Sequence, residues 1–292
     1  MKTHRVAGGA GVELNVVEAG NPAGQPIVFL HGLSQCSLAW AGQLASGLAV
    51  DFRLVAPDLR GHGSSGKPAA GYDDSRLWAD DLHAVLTALR LERPVICSWS
   101  YAFPVLDYIR HYGEDAIGGL HLVGAITKLG TDDAFSAIAP ETLAIAPGLF
   151  SSDVAQCVPA LETFLRSLFL RQPPDDEFYT MLGYNVRVPP HVRQAMFSRR
   201  VDNDDLLATL RKPVLITHGT RDAVVALDVV ARHRALVPHA QVDLMADAGH
   251  APFRDDVGAF NSRLRAFTES LATAGSASAR ASLAAAEPAG TE

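Results

Sequence analysis

The apolar run Pro94-Val95-Ile96-Cys97 leads directly into Ser98-Trp99-Ser100-Tyr101-Ala102 and then into the helix-like stretch Val105-Leu106-Asp107-Tyr108-Ile109-Arg110. A buried strand, a sharp turn with serine at its apex and a helix satisfy that order. Such a turn is strained and expected to give Ser100 a positive φ, so the residues two before and two after must be small. Ser98 and Ala102 meet that steric condition. The Ser100 hydroxyl then stands clear of both elements, and the Tyr101 N–H and the helix N-terminus face a point where negative charge could gather. Serine-rich turns are common, so the weight falls on what the rest of the chain supplies.

A serine nucleophile needs a base, and the base needs an orienting carboxylate. Pro213-Val214-Leu215-Ile216-Thr217 reads as a buried strand, followed by His218-Gly219-Thr220-Arg221-Asp222. Val242-Asp243-Leu244-Met245 reads as another, followed by Ala246-Asp247-Ala248-Gly249-His250-Ala251-Pro252-Phe253. Asp222 and His250 thus each lie just beyond the carboxyl end of a strand, where open α/β sheets place their sites. Asp222 competes with Asp243, which falls inside a strand, and with Asp247, which is too near His250 in sequence to sit easily beneath its ring. Upstream, the strand Pro26-Ile27-Val28-Phe29-Leu30 runs into His31-Gly32-Leu33-Ser34, where the Leu33 N–H is a second oxyanion donor beside that of Tyr101. Phe52-Arg53-Leu54-Val55-Ala56 is followed by Pro57-Asp58-Leu59-Arg60-Gly61-His62-Gly63-Ser64-Ser65-Gly66, whose glycines suit a sharp turn beside a site.

With these pieces in place, the chain resembles the serine α/β-hydrolases, in the group that holds carboxylesterases, perhydrolases and C–C hydrolases. The likeness covers about residues 10–130 and 203–270. The family usually has glycine where this sequence has Ser98, Ala102 and Phe103, and a ring at 103 has to find room under a cap or against the sheet. The resemblance implies a mostly parallel central sheet with helices on both faces and a helical cap. It assigns Ser100 as nucleophile, His250 as base and then acid, and Asp222 as the group that fixes the imidazole. Leu33 and Tyr101 form the oxyanion hole, and Trp99 and Phe103 are candidates for contact with substrate. His31, Asp58 and His62 read as loop-fixing groups, and Trp40 as core.

Alternating strands and helices support the parallel sheet independently. Leu77 to Leu89 has helical spacing, and Leu120 to Ile126 reads as a buried strand. From 127 to 202 the chain reads as helical, without strand-like runs, and is punctuated by Pro140, Pro147, Pro159, Pro173, Pro174, Pro189 and Pro190. We therefore expect a core of residues 1–126 and 203–272 and a cap of 127–202. Leu149, Phe150, Phe164, Leu168, Phe169, Met181 and Leu182 face either the cap's own core or a pocket. Val257 to Leu271 reads as the last helix. Residues 273–292, rich in Ala, Ser and Gly with Leu283 as their one large apolar side chain, read as a disordered tail.

A formal charge of -7 without a basic stripe argues against nucleic acid. Cys36, Cys97 and Cys157 are too few and too widely spaced for a disulfide framework. Cys97 reads as core, and Cys36 as either pocket lining or a buried loop thiol. The sequence offers no zinc-ligand spacing and calls for no metal or organic cofactor. It carries no signal-like N-terminus and no run of the ~18 apolar residues a membrane span requires, so a cytoplasmic location is the default. Oligomeric state is not legible. The expected substrate is a small or medium carboxylic ester or related acyl compound. The same groups suit lactone hydrolysis, C–C bond hydrolysis or perhydrolysis, and a hydrolase fold without catalysis can serve as a ligand receptor.

Overall fold

The short, continuously apolar runs become the centre of an eight-stranded sheet. In this computed structural model, residues 1–286 are described, with side chains as far as Leu271. The strands are β1 (Lys2–Ala7), β2 (Glu13–Gly20), β3 (Pro26–Leu30), β4 (Arg53–Pro57), β5 (Val95–Tyr101), β6 (Gly119–Ile126), β7 (Lys128–Leu129), β8 (Val201–Asp202), β9 (Val214–Gly219) and β10 (Gln241–Met245). The large sheet has the order β1-β2-β4-β3-β5-β6-β9-β10. β1 and β2 are antiparallel, as are β2 and β4, and every later neighbour is parallel. All five residues of β3 are buried. Helices cover both its faces, as the lack of polar alternation in that strand requires.

Strand order decides where a site can form. The chain passes from β3 outward to β4, then returns to lay β5 on the other side of β3. The loops leaving the carboxyl ends of β3 and β5 therefore diverge, and the crevice between them is where open α/β sheets bind ligands. Both His31–Ser34 and Ser100 lie there.

Between β6 and β9 the chain leaves the sheet. It forms the helices Pro140–Leu149, Val154–Ser167, Asp175–Val186 and Pro190–Phe197, and Pro147 and Pro159 lie inside the first two rather than dividing them. Pro140 and Pro190 open helices, where a missing N–H costs nothing. The strand-free expectation for 127–202 is corrected in one detail. β7 and β8 pair antiparallel, Lys128 with Asp202 and Leu129 with Val201, and close the base of the insertion. Two residues per strand are too few to register as a pattern. Lys128 Nζ joins the ribbon to Asp133, Asp202 and Asp204 at 3.1, 3.0 and 2.5 Å. Leu149, Phe164, Leu168, Phe169 and Met181 are buried, whereas Phe150 and Leu182 are half-buried against the same core.

The last helix is Val257–Ala286, longer than the 257–271 read from sequence. The expectation of disorder from 273 is thus replaced by helix as far as Ala286, and 287–292 lie outside the described residues. The sequence argument rested on missing apolar side chains, which bears on burial. Alanine has the highest helix propensity, and a helix nucleated by packed residues propagates easily through it.

Candidate active site

Ser100 is the penultimate residue of β5, with φ +61, and the helix Phe103–Tyr112 begins three residues later. A β-carbon in that region clashes with its own backbone, so the turn holds strain that the surrounding packing must maintain. Ala102 is fully buried behind it, which explains the need for a small residue there. Gly32 faces Ser100 from the loop after β3. A β-carbon at Gly32 would lie 3.0 Å from Ser100 Cβ and 3.6 Å from its Oγ. Only glycine allows the loop bearing Leu33 to come this close. Leu33 is half-exposed, and Ser34 after it also has a positive φ, +63.

The loop is held by groups the sequence marks as structural. His31 Nε2 accepts the Leu59 N–H at 3.0 Å, and its Nδ1 lies 2.9 Å from the Gly32 carbonyl oxygen. His62 Nε2 accepts the Ser34 N–H at 3.2 Å, and its Nδ1 lies 2.8 Å from the Arg60 carbonyl oxygen. Both rings therefore carry the proton on Nδ1. Burial lowers the proton affinity of both, and His31 adds to that effect on His62. Asp58 accepts from the Ser37 N–H at 2.7 Å, from Asn15 Nδ2 at 2.9 Å and from the Ser64 N–H at 2.8 Å. Cys36 is buried in this loop, and burial followed by the Asp58 charge pushes its thiol up to about 12, so it is inert as a nucleophile.

Asp222 and His250 come together across 28 residues of chain. Asp222 Oδ2 accepts from His250 Nδ1 at 2.8 Å, and both side chains are 1% exposed. Asp222 Oδ1 accepts the Val224 and Val225 N–H groups at 2.8 and 2.9 Å. Burial pushes the Asp222 carboxyl up, but His250, His218 and the Val225 N–H outweigh it and hold it below its ordinary value. The rival carboxylates are elsewhere. Asp243 pairs with Arg263 at 3.2 Å, and Asp247 is exposed.

With Nδ1 committed to Asp222, His250 presents Nε2, which is buried and has no hydrogen-bond partner. No hydrogen bond joins it to Ser100. Such contacts are commonly long until substrate arrives.

Trp99 and Phe103, the expected substrate contacts, are both buried. Trp99 is 1% exposed, and its indole N–H donates to the His250 carbonyl oxygen at 2.8 Å. Its ring packs edge-on to Phe253 at 4.9 Å, and Phe253 stacks on Trp40 at 4.1 Å. Phe103 is fully buried, with Tyr101 edge-on at 4.7 Å and the Arg199 guanidinium 5.4 Å from its ring centre. Both rings back the site from within the core, because the residues flanking the elbow point into the packed layers beside β5.

Four contributors escaped the sequence reading. Gly124, with φ +50, sits where β6 bulges against β5. A β-carbon there would be 3.2 Å from His250 Nδ1 and 3.4 Å from Asp222 Oδ2. A glycine inside an apolar strand was the available signal. Asp255 accepts the N–H groups of Gly249, Arg171 and Leu170 at 2.7, 3.0 and 3.3 Å, tying the histidine loop to the insertion. Gln35 Oε1 accepts from the Tyr184 hydroxyl at 3.1 Å and does the same for the loop after β3. His218 lies beside Asp222 and is taken up below. Nothing local in the sequence marks the ties of Asp255 and Gln35 to the insertion, since those partners are 84 and 149 residues away.

Among the described residues, no group of three His, Cys, Asp or Glu side chains is arranged to hold a metal ion, and no helix is long and apolar enough to cross a membrane.

Comparison with known proteins agrees with this fold. The family model for the alpha/beta hydrolase fold matches residues 25–257. The esterase RhEst1 from Rhodococcus sp. ECU1013 superposes with a TM-score of 0.87 at 37% identity, covering 93% of this chain and all of that one. A candidate aryl esterase from Burkholderia cenocepacia gives the same TM-score and coverages at 34% identity. The AB hydrolase superfamily protein YisY from Bacillus subtilis is 27% identical over 267 residues, 85% of this chain and 92% of its own.

Proposed function

The chain belongs to the alpha/beta hydrolase fold family, and on that premise we propose that it hydrolyses small or medium carboxylic esters through an acyl-enzyme on Ser100. One observation carries the reading. His250 is fixed at Nδ1 by a buried carboxylate, while its Nε2 is buried without a partner at the serine end of the sheet. A buried ring nitrogen left unpaired is costly unless a reaction uses it.

In this mechanism Ser100 Oγ attacks the acyl carbon and its proton passes to His250 Nε2. Asp222 stabilises the imidazolium that forms. The N–H groups of Leu33 and Tyr101 hold the oxyanion of the tetrahedral intermediate. The C–O bond to the alcohol breaks, and His250 returns the proton to the leaving oxygen. Water then attacks the acyl-enzyme, giving its proton to His250, and the carboxylic acid leaves as Ser100 recovers its hydrogen. The protein's own side chains supply every proton transfer in this scheme. A preference for short or medium acyl groups follows from the burial of His250 and from the bonds that tie both loops to the insertion.

The test is turnover of a p-nitrophenyl ester series, together with mass spectrometry after a fluorophosphonate probe. Labelling of Ser100 and loss of about 10³-fold or more in kcat for Ser100→Ala are expected. A folded Ser100→Ala protein with near wild-type turnover would overturn the reading. Lactones and dienoates run beside the esters separate lactone and C–C hydrolysis from ester hydrolysis. Absence of turnover with every activated ester would leave a ligand receptor instead.

A further inference from the structure

We infer that His218 is a positioning residue for the proposed triad, its Nε2–H held by the Val225 carbonyl oxygen and lying against the same Asp222 oxygen that accepts from His250 Nδ1. The inference rests on the roles proposed above for Asp222 and His250. His218 lies in β9, four residues before Asp222, and its side chain is 1% exposed. Its Nε2 is 3.1 Å from the Val225 carbonyl oxygen and 3.3 Å from Asp222 Oδ2. A carbonyl and an ionised carboxylate only accept, so the nitrogen facing both must carry the hydrogen. The tautomer is thereby assigned from geometry. Burial lowers the proton affinity of the ring, Asp222 and the Val225 carbonyl oppose that, and His250 adds to the lowering. His218 is a neutral donor beside the carboxylate.

Asp222 thus accepts from two backbone N–H groups on Oδ1 and from His250 on Oδ2, and the His218 Nε2–H, bonded to the Val225 carbonyl oxygen, lies 3.3 Å from that same Oδ2. They fix the plane of the carboxylate and stabilise its charge. The partial positive charge of the His218 Nε2–H beside Oδ2 has a second effect. It draws electron density from the oxygen that accepts from His250 Nδ1. Without it Asp222 becomes more basic and His250 easier to protonate. The remaining titratable group near His218 is His233, on the helix Asp228–Leu236. Its ring is brought down to about 4 by burial first and by Arg232 next, with His218 contributing and Asp204 opposing. It is neutral through the neutral pH range.

The first measurement uses the wild-type protein. Imidazole ¹⁵N chemical shifts across the neutral pH range should report His218 as neutral with the hydrogen on Nε2. A hydrogen on Nδ1, or titration of His218 in that range, overturns the inference. The second uses two variants. His218→Phe keeps the ring and removes the donor. It should move the acid limb of kcat/KM up by about one pH unit and lower kcat about tenfold, with KM little changed. His218→Gln offers an amide N–H in a similar place and should return the limb towards the wild-type position. A packing role alone would lower Tm and leave the limb unmoved in both variants, which also overturns the inference. If the wild type turns over no activated ester, the triad reading falls and the positioning role with it. If it does turn them over while His218 carries its hydrogen on Nδ1, only the present inference falls.

Discussion

The Trp99 indole N–H donates to the main-chain oxygen of His250 at 2.8 Å, across 151 residues of sequence. The residue before the proposed nucleophile thereby holds the loop that carries the proposed base. Trp99 also packs against Phe253, three residues beyond His250 in the short helix Pro252–Asp255, so the loop is held at two points.

Trp99→Phe should keep most of the ring packing and remove the hydrogen bond, leaving a buried carbonyl unsatisfied. We expect a loss of about 1–2 kcal/mol in stability. We also expect a several-fold drop in kcat as the imidazole loses its fixed position. Urea unfolding and ester kinetics on the same preparation check both. Unchanged kcat together with lowered stability would confine Trp99 to packing.

Asp222→Asn and Asp247→Asn separate the carboxylate that holds His250 from its sequence neighbour. Asp222→Asn should lower kcat by about 10⁴-fold, because a neutral amide neither stabilises the imidazolium nor enforces its tautomer. Asp247 is exposed with φ +55. Asparagine tolerates that backbone well, so Asp247→Asn should change stability by no more than about 0.5 kcal/mol and leave kcat near wild type. A larger loss at 247 would reverse the assignment.

Gly124→Ala tests the space beside the acid–base pair. The added methyl needs a left-handed backbone and meets His250 Nδ1 at 3.2 Å. About 1–2 kcal/mol of destabilisation is expected from the backbone. Displacing the imidazole by a fraction of an ångström should cost on the order of 10–100-fold in kcat/KM. The decisive measurement is kcat/KM on protein shown by circular dichroism to be folded. Full activity would mean that the pair has room to move aside.

Asp107 gives a pH signature of its own. Burial lifts its carboxyl to about 6, even though Arg199 Nη2 donates to it at 2.8 Å within a pair whose side chains are both 1% exposed. Unfolded aspartate titrates near ~4. Over the window between these values the folded chain binds a proton that the unfolded chain has released, so stability falls as pH rises. The stability of wild type relative to Asp107→Asn should be greatest below the unfolded value, decline up to about 6 and be flat above it. Urea unfolding of both proteins at stepped pH measures the difference. A relative stability that climbs with pH would show that Arg199, rather than burial, governs the carboxyl.

Much of this was legible in the linear chain because it is written in neighbours. The apolar runs that become β3, β5 and β9 announce themselves, as does the small–Ser–small turn at Ser100, since strand burial and turn strain act within a few residues. Asp222 and His250 could be shortlisted because each follows a strand. The helix to Ala286 shows the limit of composition: a shortage of large apolar side chains argues against burial, but alanine continues a helix that packed residues have started.

Tertiary structure decided the rest. The order β3-β5-β6-β9-β10 brings Gly32, Ser100, Gly124, Asp222 and His250 to one end of the sheet. The irregularity between β5 and β6 sets Gly124 against His250 and Asp222. Asp222 was separated from Asp243 and Asp247 by which oxygen reaches His250 Nδ1, and the burial of Trp99 and Phe103 was set by the layers packed around β5. The physical reason is the same in each case. Sequence encodes local conformational preference, whereas a hydrogen bond between groups far apart in the chain depends on strand order and register, which the packing of the whole sheet selects.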